Sequence, residues 1–183
     1  AQAFLDRRLL SPPGLADFET LERAGAQAIR LHDKPDAGMW ELRFSAKVHT
    51  TSALMCWAAC DRLQRIAHVL GLREREEFWR MHALEIKAAT LKRAWSDKRQ
   101  AFVEAFEGEK LDAGVLLMAE IGFIDPHDPR FVATLRALEK TLGRGAFMMR
   151  YEAPDDFGLP DTSFNICAFW RVTALARSGR KEE

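Results

Sequence analysis

Two stretches of the chain set carboxylates among aromatic residues and glycine just ahead of apolar helical patterns. Residues 36–51 read DAGMWELRFSAKVHTT, with Trp40 and Glu41 behind the Gly38 turn and Arg43, His49 and Thr50 following. Residues 155–164 read DDFGLPDTSF and place Asp161 directly ahead of the last helical pattern. One carboxylic acid that protonates a leaving oxygen, with a second carboxylate that activates water from the opposite face, is the equipment for cleaving a glycosidic bond with inversion. The chain holds 27 acidic residues, so many such pairs arise by chance. An Asp before a helix also serves as an N-cap, and spacing alone leaves both readings open.

The elements that must carry these loops are helical. Apolar residues recur at three- and four-residue spacing over 15–32, behind the Pro12–Pro13–Gly14 turn, and again over 52–70, where Gly71 stands at a left-handed cap position. A helix over 74–95 is predicted to turn Phe78, Met81, Leu84, Ile86, Ala88 and Leu91 toward a core. Its minimal link to the preceding helix implies an antiparallel pair. A shorter helix over 111–121 and another over 130–142, joined by the Asp125–Pro129 turn, form a second hairpin. Residues 147–151 read as a short extended segment, and the last helix is expected over 162–176. Trp57, Phe169 and Trp170 are assigned to the core, Asp112 to an N-cap, and Asp155 and Asp156 to a solvated loop. The fold class is therefore all-α, in one domain spanning 1–183.

With 48% apolar residues in 183 the chain can bury a sizeable core. Basic and acidic residues balance at 27 each, which leaves no charge field for nucleic acid or an anionic membrane and suits a neutral ligand. No apolar run reaches membrane-spanning length, and the opening AQAFLDRRLL has charges after its apolar residues, the reverse of a secretory signal. Cys56, Cys60 and Cys167 are an odd number inside apolar helical patterns, which reads as buried reduced thiols and a cytoplasmic setting. No metal-ligand spacing or cofactor motif appears, and neither is expected.

DAGMWELR followed by VHTTSALMCWAACDRL resembles the segment around the general acid of glycoside hydrolase family 15, the family of glucoamylases and bacterial trehalases. LDAGVLLMAEIGFIDPHDPRFVATLRALEK, then RY, then GLPDTSFNICAFW follow the order and approximate spacing of its bacterial members. The resemblance implies an (α/α)6 barrel with its active site among loops at one end, and makes this chain the C-terminal part of that catalytic domain. Half a ring leaves an apolar face that self-association or a partner polypeptide would cover. By motif position Glu41 is the acid, and Asp161 occupies the place where the family pattern has a Glu base. Losing one methylene draws that carboxylate back, and a misplacement of about 1 Å can cost roughly a hundredfold in rate.

Trp40 is then a platform for a sugar ring, and Arg43, His49 and Arg150 are candidates to hydrogen-bond its hydroxyls. For each a plainer reading stands beside this one: core packing for Trp40, a structural role for His49, and pairing with Glu41 for Arg43. The expected substrate is a small oligosaccharide or a disaccharide such as trehalose. A non-catalytic fragment or interaction protein built on the same fold is the alternative. A phosphorylase on a related barrel would need a phosphate cradle, and no Gly-rich loop of that kind is evident.

Overall fold

The computed structural model of the chain describes residues 2–6, 8, 13–42, 46–180 and 182. These group into two compact units, one made of residues 1–34 and 53–89 and the other of residues 35–52 and 90–183.

The first unit holds the short α1 (Gln2–Leu5), α2 (Leu15–Leu31), most of α3 (Thr50–Val69) and most of α4 (Arg73–Arg93). Phe18, Leu54, Ile66 and Ile86 are fully buried, and Trp57, Leu63 and Trp79 nearly so. Gly25 lets α2 approach closely, because a Cβ there would lie 2.2 Å from the Leu63 side chain and 2.6 Å from the Trp79 ring. The Trp79 indole N–H donates to Glu22 Oε1 at 2.8 Å, so burying the ring leaves no orphaned donor.

The end of α3 follows its sequence. Gly71 adopts φ +71°, and the Leu72 N–H reaches back to the Ala67 carbonyl at 2.9 Å in a Schellman arrangement. The face assigned to α4 needs correction. Its buried residues are Trp79, Ala83, Ile86 and Thr90, whereas Phe78, Met81 and Leu84 are 50%, 44% and 48% exposed. Apolar and charged residues are spread around this helix, so periodicity does not single out one face, and a tryptophan with a carboxylate partner for its N–H takes the inner one.

The second unit positions the loops of interest. The helical pattern predicted to Trp95 stops at Arg93, and the chain enters a two-stranded hairpin of β1 (Trp95–Ser96) and β2 (Ala101–Phe102) that the sequence did not announce. Residues predicted as one helix over 111–121 divide into a 3-10 turn, Ala113–Leu116, and one turn of α5 (Leu117–Glu120). Asp128 caps α6 (Pro129–Leu142) through a 2.8 Å bond from the Arg130 N–H, with Pro129 in the first turn where a missing N–H costs nothing. Thr134 ties α6 to β2, donating to the Arg130 carbonyl at 2.7 Å and accepting from the Phe102 N–H at 2.9 Å. The buried Phe102, Phe123, Phe131, Leu116, Met118 and Leu135 form this core.

A second hairpin joins β3 (Gly143–Arg144) to β4 (Phe147–Met148), in part where an extended segment is predicted. The final helix, α7 (Asn165–Arg177), starts three residues later than its sequence suggests, with Phe164 rather than Asp161 at its N-cap. Phe169, assigned to the core, is 70% exposed, and Trp170 is half-buried. Among the described residues no helix is long and apolar enough to cross a membrane.

Candidate active site

The loop carrying Trp40 and Glu41 is fixed by its own backbone. Asp36 and Lys47 exchange main-chain hydrogen bonds of 2.9 and 3.2 Å, and the Asp36 carboxylate accepts from the Gly38 N–H at 2.6 Å. Gly38, at φ +68°, turns the chain, and the turn closes with the Leu42 N–H on the Ala37 carbonyl at 2.9 Å and the Glu41 N–H on the Gly38 carbonyl at 3.2 Å. Glu41 itself takes φ +54°, a left-handed conformation that costs a non-glycine residue on the order of 1 kcal/mol or more. Glu41 is exposed.

Behind this turn lies His49, 5% exposed, whose ring atoms stand 2.9 to 3.0 Å from where a Gly38 Cβ would be. Its main chain bridges to Ala105, and its Nε2 has no hydrogen-bond partner among the described residues. The neighbouring Thr50 opens α3 with its hydroxyl on the Val103 carbonyl at 2.7 Å and its N–H on the Glu104 carbonyl at 2.8 Å. Glu104 is 5% exposed and accepts from Lys47 Nζ at 2.7 Å.

Trp40 is half-buried and stands among aromatic neighbours, with ring centroids 5.8 Å from Tyr151, 6.0 Å from Phe164 and 6.1 Å from Trp170. Its indole N–H donates to Asp112 Oδ2 at 2.7 Å. Asp112 Oδ1 accepts from the Gly114 N–H at 2.6 Å, so the residue is an N-cap as its sequence position suggests, and more besides. Burial drives the Asp112 carboxyl up to about 7; the bonds from Gly114 and Trp40 oppose that rise and the like charge of Glu104 adds to it.

The segment from Arg150 to Phe157 faces Trp40. Asp112 and Tyr151 form a backbone bridge, and the Ala113 N–H donates to the Arg150 carbonyl at 2.8 Å. The Arg150 guanidinium carbon lies 5.2 Å from the Tyr151 ring centroid and 6.0 Å from those of Trp40 and Phe164, within cation–π range of all three. The Tyr151 hydroxyl donates to Asp155 Oδ2 at 2.7 Å, the Phe157 N–H donates to Asp155 Oδ1 at 2.8 Å, and Arg150 is 3.6 Å from Asp155 Oδ2. Those two hydrogen bonds, Tyr151 first, hold the Asp155 carboxyl below its usual range, while burial and then Asp155 push the Tyr151 phenol up to about 12.

Together these groups border a cavity of about 410 Å³, whose lining includes Trp40, Glu41, Arg150, Tyr151, Asp155 and Asp156. Of the residues singled out in the sequence, the structure brings Trp40, Glu41 and Arg150 to this one cavity. His49 packs under the acid-bearing turn and does not line it. Arg43 lies outside the described residues. Asp161 is exposed, accepts from the Thr162 hydroxyl at 2.8 Å, and is absent from the lining. Tyr151 carries no role in the motif, and Asp155 and Asp156 read there as a solvated loop; the available signal was the sole tyrosine of the chain, adjacent to an arginine and four residues before an aspartate. The cavity is thus half apolar wall and half fixed charge, as a polyhydroxylated ring with an apolar face requires.

The cavity thus joins aromatic rings, an arginine and carboxylates on loops of a helical scaffold. The chain matches the family model for glycosyl hydrolases family 15 over residues 27–181 and belongs to that family. It is 36% identical over 165 residues to a trehalase of Mycolicibacterium smegmatis, covering 88% of this chain and 25% of that protein. It is likewise 36% identical to a trehalase of Mycobacterium tuberculosis, at 88% and 24% coverage, and 30% identical to one of Thermoplasma volcanium, at 86% and 26%. Among solved structures it superposes on a wild-type glycosidase with a TM-score of 0.76 at 17% identity, covering 88% of this chain and 42% of that one. A glycosidase variant in complex with glucose gives 0.75 at 16%, with the same coverage. The fold is accordingly part of an (α/α)6 barrel. The chain spans about a quarter of the length of the curated relatives it matches.

Proposed function

We propose that the chain is the C-terminal part of the catalytic domain of an inverting glycoside hydrolase acting on α-glucosidic bonds, of trehalase type, working in the cytoplasm on a disaccharide or short glucan. The observation that carries this reading is the convergence of Trp40, Glu41 and Arg150 on one cavity. Trp40 offers a ring face to a sugar, Arg150 donates to hydroxyls, and Glu41 delivers its proton to the glycosidic oxygen as the bond to the anomeric carbon breaks. Asp161, which lies on the same exposed loop as Asp155 and Asp156 but outside the cavity lining, is assigned by its motif position to take a proton from the water that attacks from the opposite face, inverting the anomeric centre. Glu41 ends ionised and Asp161 protonated, and exchange with solvent resets both.

The test is glucose release from trehalose and from malto-oligosaccharides by the 183-residue chain and its Glu41→Gln variant. Release by the wild type should fall about 10²- to 10⁴-fold in the variant. Release that is equal in both, or absent from folded wild-type protein, sinks the catalytic reading.

A second reading is favoured by exposed apolar residues on α7, where Ile166, Phe169 and Val172 are 44%, 70% and 59% accessible. They suit a chain that acts as an interaction protein, joining another copy or a partner polypeptide that completes the barrel. Sedimentation of the purified chain as a compact monomer would count against it.

A further inference from the structure

Asp112 is 6% exposed, and neither acid–base role falls to it. Its two oxygens are nonetheless committed in different directions. Oδ1 accepts from the Gly114 N–H at 2.6 Å and Oδ2 from the Trp40 indole at 2.7 Å, a bond that spans 72 residues of sequence. Gly114 is itself confined: a Cβ there would lie 2.7 Å from Thr51 Cγ2, 2.8 Å from Met39 Sδ and 2.9 Å from Asp112 Oδ1. The 112–114 turn therefore seats against Met39 and the Trp40 N–H at once. N-capping uses only Oδ1, and a serine or asparagine would cap as well. A carboxyl group buried beside Glu104 is costly to ionise, and capping alone gives no reason for it.

We propose that Asp112 is a positioning residue for the sugar platform, clamping the Trp40 indole at a fixed orientation beside Glu41 through one carboxylate oxygen while the other is anchored by Gly114. The proposal rests on reading Trp40 as a sugar-binding surface. The indole has two soft torsions. Three aromatic neighbours limit its tilt, but none of them bonds the N–H, so Asp112 sets which edge points inward and which face meets the cavity.

The experiment is a double-mutant cycle in the 183-residue chain with Trp40→Phe, Asp112→Ala and the pair combined, plus Asp112→Asn as the milder variant. The first readout needs no ligand. Asp112→Ala should change the near-ultraviolet circular dichroism and tryptophan emission of the wild type, and the same substitution made in the Trp40→Phe background should change neither. A spectral change that persists without Trp40, or none in its presence, overturns the proposal. The second readout is calorimetric titration with glucose and with trehalose. Each single variant should bind about tenfold more weakly, with no further loss in the double. Additive losses, or unchanged binding by Asp112→Ala, also overturn it. If the wild type binds neither sugar, the sugar-site reading fails while the spectral cycle still decides whether Asp112 holds the indole. Should Asp112→Ala fail to fold by far-ultraviolet dichroism, Asp112→Asn carries both readouts, since its amide can satisfy Gly114 but then turns a donor toward the indole N–H.

Discussion

The two loops proposed to carry the acid and the base are held very differently. Residues 36–42 are bound by a main-chain bridge to Lys47, an Asp36–Gly38 side-chain bond, a closed turn, the His49 ring underneath and the Asp112–Trp40 bond. In residues 155–164, Asp155 bonds Gly158 and the Phe164 N–H reaches the Met148 carbonyl at 2.9 Å, but between these anchors Asp161, among the described residues, bonds its neighbour Thr162 alone. Phe157 and Leu159 are 99% and 73% exposed. Over-determination on one side allows a strained Glu41; looseness on the other means that the reach of residue 161 depends on the length of its own side chain. A general acid must meet one oxygen, whereas a base acts through a water and tolerates more freedom.

The largest effect should come from restoring that length. Asp161→Glu adds the methylene that the family pattern has at this place, and glucose release should rise, by up to about a hundredfold if reach is what limits the base. Because Asp161 is exposed, thermal stability should move by no more than about 0.5 kcal/mol. An unchanged or lower rate in Asp161→Glu, with the loss in Glu41→Gln intact, would move the base to another carboxylate, and Asp156 on the cavity wall would be next to substitute.

Breaking the tight loop should cost stability as well as rate. Gly38→Ala forces a side chain into φ +68° and within 3.0 Å of the buried His49 ring, for a loss of about 2 to 3 kcal/mol in urea unfolding. Gly158→Ala, at φ +109° with open space around it, is the matching change in the loose loop and should cost less. Equal losses at both sites would erase the difference between the loops.

How far the sequence foretold this arrangement depends on what each residue needed. Helix ends with a chemical marker were legible: Gly71 and Asp128 act as their types suggest. The turn at Gly38 was legible for the same reason. Asp112 was recognised as a cap, but its second role links it to a residue 72 positions away, and no local pattern encodes that distance. The hairpins at β1–β2 and β3–β4 have strands of two residues each, too short for an alternating pattern to show. The face of α4 failed because its apolar residues are dispersed and tertiary contact chose among them. Trp40 and Glu41 were found through their motif; Tyr151 and Asp155 were missed because their bond becomes visible only once the chain has turned through residues 151–155.

The two regions also differ in how they respond to pH. Asp112, beside the acid loop, has its carboxyl raised to about 7 from 3.8, so the folded state holds a proton that the unfolded chain releases. Its contribution is fully present below about 4 and is lost as pH rises through 7. Asp155, in the other loop, is shifted down, so its contribution is present above the unfolded value and disappears as pH falls below it. Between pH 5 and 8 only the first of these acts. Unfolding free energy of the wild type should therefore fall across that window by on the order of 2 kcal/mol more than that of Asp112→Asn. Parallel curves for the two proteins would show that Asp112 does not titrate there.

The smallest effect separates strain from catalysis at a single residue. Glu41 sits at φ +54°, where glycine pays no steric penalty. Glu41→Gly should stabilise the chain by about 0.5 to 1 kcal/mol while lowering glucose release as far as Glu41→Gln does, whereas Glu41→Gln should leave stability unchanged. Chemical unfolding of the two variants beside the wild type distinguishes these outcomes. A residue kept in the left-handed region only by its neighbours would be relieved by glycine and not by glutamine, which marks the strain as the cost of aiming that side chain into the cavity. If glycine gives no gain, the tight loop pays nothing for its geometry, and the contrast with the 155–164 loop reduces to the number of hydrogen bonds each contains.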